Sequence, residues 1–236
     1  MGQINFTGVN YNKKSKKYYI HISINKIKIF LGKSLTQMEG AIIRNEYIIK
    51  NNLTESHRLN FPPEEPENTI PNTRLVWCNG EWAIVDDYNY EWIAQYNWNT
   101  EREKYTNYAI GRVPVNGKNK NVYMHRLILG TTDIKIDIDH KNGNGMHNYN
   151  ENIRECNRSQ NQANRSHRCD CVAKLKGVEF MSKTGNYMAR GFDGKVEIYL
   201  GYFKLKIDAG RAYNNWAIGH FKEFANLNKD ENGNIL

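Results

Sequence analysis

The chain has 236 residues, 39% of them hydrophobic and 25% charged, and a formal net charge of +8. That length holds one large domain or about two to three small ones with real cores. No apolar run reaches the ~20 residues of a membrane-spanning helix, and MGQINFTGVNYNKKSKK lacks the apolar centre of a signal peptide, so a soluble intracellular protein is expected.

The charge is unevenly spread. Residues 1–60 carry +7 (ten Lys and Arg against three Asp and Glu), 61–170 carry −2 (thirteen against fifteen) and 171–236 carry +3 (ten against seven). Basic ends around a slightly acidic middle suggest flanks that grip a polyanion, with a solubility surface as the alternative. Four cysteines, Cys78, Cys156, Cys169 and Cys171, are too few for a disulfide framework, and Cys169-Asp-Cys171 lacks zinc-knuckle spacing. Reduced, structural thiols are expected.

Elements follow in chain order. In YYIHISINKIKIFL, residues 18–31, Ile20, Ile22 and Ile24, then Ile27, Ile29 and Leu31, alternate with polar residues around Asn25-Lys26, which predicts a β-hairpin. Thr36, with Glu39 three residues on, predicts a capped helix through TQMEGAIIRNEYIIK. FPPEEPENTIPN, residues 61–72, holds four of the five prolines and predicts an extended acidic linker. The Trp- and Tyr-rich stretch 75–110, with a hairpin signal at Asn79-Gly80, predicts the core of a small β-rich subdomain. A strand is expected around His125 and Arg126, and another over 134–139, IKIDID, ending at Asp139-His140. A polar loop with five asparagines follows, and then a short strand at Ile153–Cys156. Asn157 predicts a helix cap with Gln160 at N3, which places Asn161 in the first turn.

The last sixty residues repeat the first sixty. Gly8-Val9 returns as Gly177-Val178, Tyr18 as Tyr187 and Leu31-Gly32 as Leu200-Gly201, all 169 residues on, and Leu59-Asn60 returns one residue out of step as Leu227-Asn228. Ala209, Ala212, Tyr213, Trp216 and Ala217 form a helical stripe. Two copies of a three-strand-plus-helix module therefore flank a central domain.

KGVEFMSKTGNYMARGF, YLGYF and DAGRAYNNWAIGHFKEFANLN resemble the ethylene-response-factor (APETALA-two) DNA-binding domain. The first copy shares Gly8-Val9, Leu31-Gly32 and the closing Arg58-Leu-Asn-Phe-Pro62. The resemblance implies a sheet that enters the major groove. Strand alternation puts His21, Ser23, Lys28 and Phe30 on the outward face of the first copy and Arg190 and Tyr199 on that of the second. A β-ribbon fits the major groove, where Arg suits guanine. The family's full set of arginines and tryptophans is in neither copy.

Asp139-His140, Asn152 twelve residues after His140 and Asn161 twenty-one after it, with DHKNGN, ENIRE and SQNQANR around them and Tyr123-Met-His-Arg-Leu127 upstream, resemble the HNH endonuclease family. The resemblance implies a strand–loop–strand–helix (ββα-metal) nuclease over roughly 75–168. His140 suits the general base, Asp139 and Asn161 the oxygen ligands of Mg²⁺ or Mn²⁺, and Asn152 the side chain that holds His140 across the loop. Asn161 stands where many members have a second metal-binding His, so no zinc is expected. Arg126 suits either the phosphate or a structural ion pair, and His147 reads as loop more than ligand.

The expectation is an α+β chain: an APETALA-two-like module at 1–61, a Pro/Glu linker at 62–73, an HNH domain at 74–168 and a second module at 174–230. It would act as a site-specific endonuclease on double-stranded DNA, as a monomer and without a small-molecule cofactor or membrane. The alternative is a DNA-binding regulator with an inactive centre. An RNA-binding module lacks its aromatic signature. Heavy use of Asn, Lys, Ile and Tyr suggests an AT-rich genome of phage or viral kind.

Overall fold

In a computed structural model, which describes residues 6–54, 56–115, 117–166 and 172–236, the Ile alternation near the N-terminus produces a sheet. Cys169 and Cys171 lie outside the described residues. Strand β1 (Val9–Asn12) pairs antiparallel with β2 (Lys17–Ile24), and β2 with β3 (Ile27–Ser34). The turn falls at Asn25-Lys26, both at positive φ (49° and 67°), which a two-residue hairpin requires. Ile20 and Ile22 are buried beneath helix α1 (Gln37–Lys50). Thr36 accepts from Glu39 N and the Glu39 carboxylate accepts from Thr36 N, so both halves of the capping box are present.

Two antiparallel sheets follow, and neither involves the proline-rich segment, where residues 62–69 form no regular element. Strands β4 (Thr73–Trp77) and β5 (Trp82–Asp86) turn at Asn79-Gly80 and lead into α2 (Asp87–Ile93). Strands β6 (Trp98–Arg102), β7 (Asn107–Val115) and β8 (Lys118–Tyr123) form the second sheet. Trp98 is buried and its indole N–H donates to Ile93 O at 2.9 Å, whereas Tyr88 and Tyr105 are exposed and the other rings of this stretch half-buried, so only part of it serves as core. Trp77 packs on the Ile22, Ile48 and Leu59 cluster, which joins the first module to β4 directly.

Two local expectations are corrected. Residues Met124–Leu129 form helix α3, not a strand, ending at Gly130 with φ 68°. The strand expected over 134–139 is shorter and later, β9 (Asp137–His140). The late start of β9 has a visible cause: the Arg126 guanidinium reaches from α3 to the carbonyls of Asp133 (3.2 Å) and Ile136 (2.7 Å), and Asp133 Oδ1 caps Lys135 N. Those groups are lost to any β ladder, and Ile134 is left 86% exposed. Strand β9 pairs with β10 (Ile153–Cys156), and α4 (Arg158–Asn164) follows with Asn157 and Gln160 as its capping box.

The chain ends in β11 (Val178–Met181), β12 (Asn186–Phe192), β13 (Glu197–Phe203), α5 (Lys206–Phe221) and a 3₁₀ turn, Lys222–Phe224. The repeat is structural. Six residue pairs, from Tyr187↔Phe203 to Phe192↔Glu197, are the β2–β3 pairs Tyr18↔Ser34 to Ser23↔Lys28 moved 169 positions, with the register slip after Ala189 matching that after Ile20. Gly8 O and Gly177 O each accept at 2.8 Å, from His21 N and Arg190 N. Asn45 ties its helix to Asn60 N and Phe61 O, and Asn214 ties α5 to both backbone groups of Asn228. One strand position differs in bulk: where the first copy has Ile22, the second has Gly191 under the Trp216 ring, where a Cβ would come within 2.6 Å, and the helix position of Trp216 is Tyr47 in the first copy.

The fold is thus mixed α+β, with several small antiparallel sheets and few helices. It divides into two compact units, 1–124 and 125–236, a boundary inside the span expected as one domain. No helix among the described residues is long and apolar enough to cross a membrane.

Candidate active site

The site forms where β9 meets the asparagine loop and α4, all within the second unit. Successive strand residues point to opposite faces, so Asp139 and His140 look in different directions although both are buried (3% and 5% exposed). Register fixes their neighbours: Arg154 stands opposite Asp139 and Ile153 opposite His140.

On one face lies His140. Its Nε2 is 3.2 Å from Asn148 Oδ1, and Asn148 Nδ2 donates to Met146 O, which sets the amide orientation. An amide oxygen only accepts, so His140 carries its proton on Nε2 and its lone pair on Nδ1. The ring of His125 meets it edge-on, with centroids 5.1 Å apart at 81°. Burial holds the His140 pKa below the ordinary imidazole value, partly offset by the Asn148 bond and the Asp139 charge. Burial, with the His140 and Arg126 charges behind it, drives His125 to about 3. Both imidazoles are neutral at pH 7.

The asparagines close the loop. Asn142 and Asn144 accept from Asn144 N and Met146 N in successive turns, and Gly143 takes φ 75°. Asn152 Oδ1 accepts from Asn142 N at 3.1 Å and its Nδ2 donates to His147 O at 2.7 Å. Asn152 therefore spans the loop, while the side chain that meets His140 is Asn148. His147 Nδ1 lies 2.8 Å from the Asn142 amide.

On the other face, Asp139 Oδ2 takes Arg154 at 2.8 Å and Oδ1 takes Asn164 Nδ2 at 2.8 Å. A carboxylate this buried needs such partners. Asn161, expected beside Asp139, donates to Asp137 Oδ2 at 3.1 Å. Asn164, one turn further along α4, also donates to His140 O. Two carboxylates and two carboxamides thus share this face with the Arg154 guanidinium; the donor types suit a hard divalent ion, though here the amides turn their Nδ2 groups to the carboxylates. Among the described residues no group of three or more His, Cys, Asp or Glu is placed to hold a metal.

Sequence reasoning missed Asn148, Asn164, Asp137 and Arg154. The i, i+3 spacing of Asn161 and Asn164 on one helix face, and the register of Arg154 opposite Asp139, were the available signals. Arg126 donates to the carbonyls of Asp133 and Ile136, a backbone contact and not the ion pair expected as its structural alternative.

The outward sheet faces differ. In the first module Tyr19, His21 and Phe30 pack together, with centroids of 5.8 Å and 5.3 Å to Phe30, and the Lys33 ammonium lies 4.8 Å over Tyr19. Ser23 and Lys28 are exposed on the same face. In the second, Arg190 is bracketed by Glu179 (2.7 Å) and Glu197 (3.0 Å), beside exposed Tyr199 and Tyr202. No protein-family model matches the chain, and no curated protein matches it in sequence.

Proposed function

We propose that the chain is a metal-dependent DNA endonuclease of the HNH kind, with two APETALA-two-like modules as its DNA-binding parts. The observation that carries this reading is the antiparallel β9–β10 pair. It presents a neutral, proton-accepting His140 on one face and a carboxylate–carboxamide cluster on the other, at the base of a loop closed by its own asparagines. Phosphodiester hydrolysis needs a base for water and charge neutralisation at phosphate.

In this reading His140 Nδ1 takes the proton from the attacking water, and Asn148 fixes the ring and tautomer. Asn152 keeps the loop path near the strand end. Asp139 and Asn161, with Asp137 and Asn164 beside them, would hold a Mg²⁺-class ion, which when bound neutralises charge on the scissile phosphate and the departing 3′-oxygen. The outward face of the first module, aromatic and free of carboxylates among the residues named, supports a role in holding the duplex.

Incubating the full chain with supercoiled plasmid and Mg²⁺, with and without chelator, tests the reading. Nicked or linear DNA should appear with metal alone, and plasmid left intact under both conditions overturns it. His140→Ala should lower the cleavage rate at least ~100-fold, the usual scale for loss of a general base. Duplex affinity, measured by anisotropy, should stay within twofold.

A further inference from the structure

Asp139 is held by two side chains, and each is held in turn by the segment just after α5. Arg154, which bonds Asp139 Oδ2 through Nε (2.9 Å) and a terminal nitrogen, sends its other nitrogen to Glu223 O at 2.9 Å. Its guanidinium carbon lies 3.8 Å from the centre of the Phe224 ring. Asn164, which bonds Asp139 Oδ1, has its own carbonyl capped by Asn226 Nδ2 at 2.8 Å, and Asn226 N takes the neighbouring Ala163 O at 3.1 Å. Phe224 also closes a core that contains Cys156 of β10, Ala163 of α4, and Tyr213, Ala217 and Phe221 of α5.

We infer that residues 223–226 are a positioning element for Asp139, acting through Arg154 and Asn164, so that the C-terminal module is part of the catalytic centre as well as a DNA-binding appendage. The physical reason is stiffness. A planar guanidinium fixed on three sides, by a carboxylate, a carbonyl and a ring face, has one orientation, and so has the oxygen it holds. Asn164 is fixed likewise, since its side chain and its carbonyl are both engaged. Side chains behind a metal ligand typically set affinity by about 10–100-fold.

The inference rests on the proposed endonuclease reading for its chemistry, though not for its geometry. Its test uses the full chain with Asn226→Ala, Phe224→Leu and, as a control in the same core, Phe221→Leu, whose ring meets Trp216 and His220 edge-on. Amide hydrogen exchange over 137–141 and the affinity for Mn²⁺ alone, followed by its electron resonance signal, are measured beside melting temperature. Asn226→Ala and Phe224→Leu should speed exchange at 137–141 and weaken Mn²⁺ about tenfold. Phe221→Leu, with a comparable fall in melting temperature, should leave both within twofold. Equal effects in all three variants, or unchanged exchange in the first two, overturn the inference. A wild-type chain that does not cut plasmid overturns the endonuclease reading instead, while the exchange comparison still decides the positioning role.

Discussion

His140 depends on a side chain that lies eight residues away in the loop. Asn148 is fully buried, and its two bonds, to His140 Nε2 and Met146 O, orient the imidazole. A net hydrogen bond of about 1 kcal/mol corresponds to roughly fivefold in rate. Asn148→Ala should therefore cut the rate of Mg²⁺-dependent cleavage by roughly fivefold to tenfold with duplex affinity unchanged, and wild-type turnover in that variant would show that the bond orients nothing. Arg126 makes the opposite case. Bound to the carbonyls of Asp133 and Ile136, it shapes the approach to β9. Arg126→Ala should lower the stability of the second unit by about 2 kcal/mol, the scale of a charged hydrogen bond left unmade. Urea unfolding followed by fluorescence measures this. A variant of normal stability that fails to bind duplex would support the phosphate role instead.

At the scale of elements, the two sheets of the repeat present different electrostatics on one backbone. Lys28 and Lys33 stand on the first face with Tyr19, His21 and Phe30, whereas Arg190 on the second is neutralised by Glu179 and Glu197. Each phosphate contact contributes about 0.9 to the slope of log affinity against log salt. Replacing Lys28 and Lys33 together by Gln should flatten that slope by about 1 to 2, and Arg190→Gln by less than either lysine. The reverse order would place the backbone-gripping face on the second module. What the sequence showed at this scale was local. Hairpin period, turn residues and the Thr36–Glu39 and Asn157–Gln160 boxes are set by neighbours within four residues, and they stand in the structure. The late start of β9 was illegible because Arg126 sets it from ten residues away. The partners of Asp139 were hidden for the same reason: Asn164 and Arg154 reach it across a helix packing and a strand pair.

For the whole molecule, charge and repeats located the flanking modules, but not their packing. The acidic, proline-rich segment does not leave the first module unattached, because Trp77 buries itself on Ile22, Ile48 and Leu59. The second module shares a core with β10 and α4, which its aromatic helix completes. The paired registers carry a consequence for how the chain reaches this state. Two hairpins of one register, 169 residues apart on a single chain, are interchangeable templates during folding, and repeat proteins misassemble by such exchanges. The difference in strand bulk opposes it. An exchanged hairpin would drive Ile22 into Trp216, where Gly191 now leaves room, and would set Gly191 in place of Ile22 in the cluster with Ile48 and Leu59. Overpacking of that kind costs about 1–3 kcal/mol and a void costs a comparable amount. Gly191→Ile combined with Trp216→Tyr gives the second copy the residues that the first has at these positions, Ile22 and Tyr47, and so removes the mismatch. Diluted from urea, that variant should yield more dimer and misfolded monomer than the native chain, as read by size-exclusion chromatography; equal recovery would mean that the kinetics of local hairpin closure, and not side-chain volume, keep the copies apart.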